Sequence, residues 1–242
     1  MTAAERDKEL SLLQHLDELR RRLMVASIAV VITSALSFTF AEQIIRFLLI
    51  PSGVAKCVAL GPTENFATFM RVSLFSGIAL AMPVVLYEIY KYIDPALLPK
   101  ERRFVITIGP FVLLLFVAGM AFCYLLLLPQ ALGFLTNIGG NVIENQLRCS
   151  EYLSFVTTFI LGMGIVFQMP AIIFILTRVG VVDRKWLGKQ RRFVFLGTFL
   201  VGALITPTPD PFNQALVALP MYLLFELGLL ISRFGGGRRA AA

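Results

Sequence analysis

Long apolar runs separated by short, mostly basic segments organise this chain. A helix needs about 20 apolar residues to cross the hydrocarbon core of a bilayer. Leu23 to Ala41 reaches that length without a charged residue. A second run covers 66–93, with a charge-free centre from Val72 to Tyr87 between Arg71 and Glu88. A third covers 104–128; Pro129 is expected to end its helix, and TNIGGN marks the loop beyond. The fourth run is 152–177, the fifth 193–206 and the sixth 214–231, with Glu226 inside the last. The pattern predicts an all-α polytopic membrane protein, one domain over 1–242 with six transmembrane helices. Residues 235–242 are expected to form a flexible cytoplasmic tail. Leu12, Leu16, Leu19 and Leu23 recur at helical spacing, so a helical lead-in should continue into the first span. Pro83, Pro110, Pro170 and Pro220 each remove a helix hydrogen bond, which predicts a kinked, concave bundle.

The last two runs are informative as a pair. Phe193 to Ile205 rises only about 20 Å, against a core of about 30 Å. The turn TPTPDPFNQ cannot extend either helix. Bilayer thinning or helix association relieves such a mismatch, so thinned lipid is expected beside this pair. The alternative is that Arg191 and Arg192 snorkel while Thr206 completes the span.

Composition agrees with the runs. Hydrophobic residues make up 57% of the 242 residues and charged residues 15%. Soluble domains carry about 25% charged residues, and disorder requires low hydrophobicity, so both classes are excluded. Six spans place both termini on one side. Of the 22 Lys and Arg, 18 then fall on that side and 4 on the other. This asymmetry predicts that both termini are cytoplasmic. The net charge of +7 reports topology in this setting and gives no reason to expect nucleic acid. The polar start MTAAERDKEL carries no cleavable-signal pattern.

Chemistry for catalysis is sparse. His15 is the one histidine and lies on the lead-in, far from any serine it would have to activate within a membrane. No cluster of metal-ligand type and no G-x-x-x-x-G-K-[ST] loop occurs, so neither a metal nor another cofactor is expected, and the chain does not read as an enzyme. Cys123 falls inside the third run as a packing residue. Cys57 and Cys149 fall in two of the three outer loops, where a disulfide would pin those loops together; the alternative is two free thiols, since sequence carries no distance.

Two cytoplasmic segments stand out, HLDELRRRL from His15 to Leu23 and YIDPALLPKERR from Tyr92 to Arg103. Asp94-Pro95 ends the second span, and Pro99 opens the next helix with Glu101 in its first turn. With PTENFATFMRVSL, AMPVVLYEIYKYIDPALLPKERR, YLSFV and TPTPDPFNQALVALPMYLLFELG, in order along nearly the whole chain, they resemble the TatC family, the multispan receptor of the twin-arginine protein translocase. The resemblance implies a six-helix receptor for the twin-arginine signal peptides of folded exported proteins. It also implies a bacterial or archaeal cytoplasmic membrane, the proton-motive force as energy source, single-span partners TatA and TatB, lipid contact, and oligomers with further TatC copies. Glu18 and Glu101 then contact the arginine pair, while Arg20 and Tyr92 shape the site. Two guanidinium groups suit carboxylates through planar, charge-assisted hydrogen bonds that lysine reproduces poorly.

Each of these residues also has a plainer reading. Glu101 in a first helical turn meets the helix dipole favourably, and Glu18 is spaced to pair with Arg21 or Arg22. Gln168, two residues before Pro170, stands where the family often has a glutamate; its neutral amide removes a charge-paired role and leaves a partner-helix or interhelical contact. Glu88 and Glu226 lie near cytoplasmic span ends, where they either snorkel or contact partner helices. Asp210 is marked as functional by the resemblance, and otherwise caps a turn. A secondary transporter of a small solute is the competing function. It needs a central polar site of broken helices, for which Gln168 is the one clear deep residue.

Overall fold

The computed structural model describes residues 3–53, 56–94, 99–137, 147–206 and 210–234; of 3–14, 99–101, 103–105, 179 and 234 it describes the backbone course alone. The expected tail, 235–242, lies outside the described residues. Among the described residues the elements are helical: α1 (Ala3–Thr39), α2 (Ala41–Leu49), a 3-10 turn (Ile50–Ser52), α3 (Pro62–Ile93), α4 (Pro99–Phe122), a π turn (Cys123–Leu127), α5 (Leu128–Asn137), α6 (Cys149–Val166), α7 (Met169–Val179), α8 (Arg184–Lys189), α9 (Arg191–Ile205) and α10 (Pro211–Phe234).

The lead-in is continuous with the first span. No glycine or proline occurs between Ala3 and Thr39, so nothing breaks α1 over its 37 residues. At 1.5 Å per residue it is about 55 Å long and must project well beyond a 30 Å core. Proline at the first position opens α3 and α4, where its missing N–H costs no hydrogen bond. Five helical stretches are long and apolar enough to cross a membrane: His15–Thr39, Pro62–Ile93, Ile106–Asn137, Cys149–Arg178 and Pro211–Arg233. The fifth apolar run forms α9, whose 15 residues rise only about 23 Å.

One expectation about prolines is corrected. Pro129 does not end the third helix. The π turn at Cys123–Leu127 precedes it, and the Leu128 N–H bonds to the Cys123 carbonyl. That wider turn accommodates the proline, and the helix resumes as α5 to Asn137. Pro83, Pro110 and Pro220 lie inside unbroken helices. Of the four prolines inside the runs, Pro170 alone accompanies a break, between α6 and α7 at Phe167 and Gln168.

α6 and α7 form the centre of the packing. Half of their crossing window is buried, against 6% of the α1 window. Val156, Phe159 and Met163 of α6 are fully enclosed with Val72 of α3, Leu128 of α5 and Val217 of α10. α1 packs chiefly on α3, and α10 on α7 and α9. Lipid is as apolar as these side chains, so close backbone approach supplies the association instead. A Cβ on Gly77 would lie 2.6 Å from the Ser34 backbone nitrogen, and Thr33 Oγ1 donates 2.8 Å to the Gly77 carbonyl, which fastens α1 to α3. Gly119 and Gly164 likewise admit the Phe167 and Phe116 rings between α4 and α6. The outward residues, among them Ile32, Leu36, Leu125, Leu200 and Leu204, are exposed and apolar, as a lipid-facing surface requires.

Candidate functional site

Polar side chains gather at the two ends of α3, about 42 Å apart between Glu64 and Tyr92. At the C-terminal end of α3, α1 runs alongside. The His15 and Tyr92 rings stack at 4.6 Å between centroids. One turn and more below, Arg22 of α1 donates to Glu88 Oε2 of α3 at 3.1 Å and to Glu18 Oε1 at 3.3 Å. Glu18 and Arg22 are four residues apart on one helix face, the spacing that favours such a pair. The link to Glu88 is tertiary and follows from the close contact of α1 with α3.

Glu88 corrects an expectation. It does not snorkel: it is 8% exposed and tied to Arg22. A buried carboxylate requires such a partner. Glu18 keeps 31% of its side chain accessible, and Arg20 is exposed beside it. Farther along, the Tyr90 hydroxyl donates 2.9 Å to Asp94 Oδ1 and Arg102 donates 2.8 Å to Asp94 Oδ2. Tyr90 and then Asp94 hold the Arg102 guanidinium above its ordinary value. The Asp94–Arg102 pair ties the first turn of α4 back to the end of α3, and that turn carries Glu101. The Glu101 side chain itself lies outside the described residues. The structure thus brings Glu18, Arg20, Tyr92 and the backbone of Glu101 to one end of the bundle.

At the other end of α3, a disulfide joins Cys57 and Cys149, with Cα atoms 5.0 Å apart. Val58 bridges the same loops, donating to Leu147 at 2.9 Å and accepting from the Cys149 N–H at 3.0 Å. Glu64, in the first turn of α3, is the hub. It accepts from Ser150 Oγ at 2.6 Å, from the Leu60 N–H at 2.9 Å and from Arg148 at 3.1 Å. Arg148 also pairs with Glu151 at 2.9 Å. Tyr152 of α6 and Tyr124 of the π turn donate to the carbonyls of Leu48 and Phe47, each at 2.8 Å, and so hold the end of α2.

The remaining polar candidates lie apart from both clusters. Gln168 sits at the α6–α7 break, 4% exposed; its amide donates a long 3.4 Å bond to the Gly164 carbonyl, and its Oε1 is buried with no partner among the described residues. Asp210 precedes α10 and accepts from the Asn213 N–H at 2.6 Å and the Asn213 amide at 2.9 Å, which is helix-capping geometry. Glu226 also does not snorkel freely. Arg191 grips both of its oxygens, at 2.8 and 2.9 Å, and Tyr222 donates to it at 3.1 Å, joining the start of α9 to α10.

Three features of these clusters do not follow from the sequence pattern: the Arg22 bridge, the Glu64 hub and the Asp94–Arg102 tie. Arg22 was visible as a helical partner of Glu18, but Glu88 lies 66 residues away. Glu64 stands inside the PTENF motif, next to loops already marked by two cysteines.

The family model described as Sec-independent protein translocase protein (TatC) matches residues 14–220. Sec-independent protein translocase protein TatC of Carboxydothermus hydrogenoformans is 32% identical over 230 residues, covering 94% of this chain and 95% of that protein. The protein of the same name from Escherichia coli (strain K12) is 36% identical over 233 residues, covering 94% of this chain and 90% of its own length. A crystal structure of the twin-arginine translocase receptor TatC overlays with a TM-score of 0.83 at 33% identity, covering 91% of this chain and 99% of that one. With its motifs, its helical order and its overall fold in agreement, this chain belongs to the TatC family.

Proposed function

We propose that this chain is the signal-peptide receptor and core subunit of a twin-arginine translocase in a bacterial or archaeal cytoplasmic membrane. It docks the arginine pair of folded cargo at Glu18 and Glu101, with Arg20 and Tyr92 shaping the site. The observation that carries the reading is the Glu18–Arg22–Glu88 bridge, in which the same carboxylate already holds a guanidinium group. Charge-assisted, planar contacts of this kind favour arginine over lysine.

The rest of the reading follows from lengths and charges. Counting α9 as a short sixth span puts both termini on the cytoplasmic side, where 18 of 22 Lys and Arg fall. The Cys57–Cys149 disulfide then lies on the outer, oxidising side. The signal's apolar stretch inserts along the concave interior of the bundle. The α9–α10 edge is the docking face for the single spans of TatA and TatB. Lipid thinned beside α9 lowers the barrier to passage, and the proton-motive force supplies the energy. Assembly with further copies completes the translocase.

Binding of a twin-arginine peptide and a twin-lysine peptide to the purified chain in detergent tests the site. An arginine preference that collapses in Glu18→Gln and in Glu101→Gln is expected. Equal binding of both peptides, unaffected by either variant, would overturn the receptor site and favour a small-solute transporter.

A further inference from the structure

We infer that Arg22 is an internal occupant of the signal-binding carboxylate Glu18, and that Glu88 is the positioning residue that draws it away when a signal arrives. This inference rests on the reading of Glu18 given above. One guanidinium spans two carboxylates here, donating Nη1 to Glu88 at 3.1 Å and Nη2 to Glu18 at 3.3 Å. The two ends are unequal. The Glu88 side chain is 10% exposed and that of Glu18 is 31% exposed. An ion pair is screened more strongly where water reaches it, so the Glu18 contact is the weaker one.

The bridge is also unsaturated. Nε of Arg22 is buried and has no hydrogen-bond partner among the described residues. A guanidinium carries five donors in a fixed fork, and a single carboxylate engages two of them best. Arg22 therefore loses little by leaving Glu18 and closing on Glu88 alone. An incoming arginine presents its own fork to the vacated Glu18. The step is an exchange: one guanidinium leaves Glu18 and another takes its place, so no carboxylate is stranded beside Arg20 and Arg21. A lysine ammonium lacks the fork and competes less well for the same oxygens. Arg22 thus sets a threshold that arginine passes and lysine does not.

Each member of the trio then has a distinct signature. Without Glu88, Arg22 has one anion left and stays on Glu18, which blocks the signal. Without Arg22, Glu18 is open to either peptide, and selectivity falls. Without both, the blockade disappears along with its release.

The experiment measures binding of twin-arginine and twin-lysine peptides to the full chain in detergent. It compares the wild type with Glu18→Gln, Glu88→Gln, Arg22→Gln and the Arg22→Gln/Glu88→Gln double variant. Helicity and thermal midpoint are recorded for each before binding. Glu88→Gln is expected to weaken the arginine peptide about tenfold, the scale of one charged hydrogen bond. The double variant is expected to regain wild-type affinity or better, a rescue that a folding defect does not produce. Arg22→Gln alone is expected to narrow the arginine-over-lysine preference at least threefold. Wild-type affinity in Glu88→Gln, a double variant as weak as Glu88→Gln, or unchanged selectivity in Arg22→Gln each overturns the inference. Wild-type affinity in Glu18→Gln instead sinks the site reading beneath it. If Glu88→Gln does not fold, the selectivity of Arg22→Gln still decides.

Discussion

Replacing Cys57 and Cys149 by serine removes the cross-link between the loop before α3 and the start of α6. The bond closes a loop of 92 residues. On the chain-entropy account, a fully unfolded loop of that length contributes about 4.6 kcal/mol. A membrane chain does not unfold that far, because its helices stay hydrogen-bonded in lipid or detergent. α3, α4, the π turn and α5 occupy most of the interval, leaving roughly 20 residues outside them, and a loop of that size contributes about 3.3 kcal/mol. The expected loss lies between these limits. For a chain of this size it lowers the thermal midpoint by roughly 7–18 °C. The Val58 backbone bonds and the Glu64 hub remain, so the variant keeps the same fold with reduced stability. The assay is thermal unfolding in detergent, for wild type with and without reductant and for the double serine variant. Reductant should lower the wild type to the variant's midpoint and leave the variant unmoved. Identical midpoints throughout, with no mobility change between reducing and non-reducing gels, would refute both the bond and the argument.

Two further outcomes are expected. Tyr152→Phe removes the buried hydroxyl bonded to the Leu48 carbonyl and leaves that acceptor unsatisfied, a loss of about 1–3 kcal/mol measurable as a lower unfolding midpoint. Equal stability would mean that water or lipid headgroups take over the carbonyl. Gln168→Met keeps the volume of the side chain and deletes a buried Oε1 that has no partner among the described residues, so thermal stability should hold or rise by about 1–3 kcal/mol. If export falls in the same variant, the amide serves a partner helix; a drop in stability would show that the 3.4 Å contact to Gly164 matters to the fold.

The helices were legible because lipid imposes one demand on every residue of a span. Leu23 to Ala41 needs no long-range information to be read as a helix, since backbone groups in hydrocarbon bond within their own segment. The same demand explains why Pro129 does not end its helix. In water a proline ends a helix by leaving groups to solvent; in lipid no solvent is present, and the chain distorts into the Cys123–Leu127 π turn and continues. Polar contacts were legible only within a helical turn or two. Glu18 with Arg22 obeys a spacing of four, and Asp210 with Asn213 a spacing of three. Arg22 with Glu88, Arg191 with Glu226 and Glu64 with Ser150 cross 66, 35 and 86 residues. Those pairings depend on which helix faces meet and at what height. For α1 and α3 that register is set where Gly77 admits the Ser34 backbone, a fit of shapes that no linear pattern encodes. From Gly77 to Glu88 is about three turns of α3, and from Ser34 back to Arg22 is about three turns of α1, so the two helices run antiparallel and one contact brings the other into reach. The small residue in the middle of the span thereby determines which carboxylate Arg22 meets at its end.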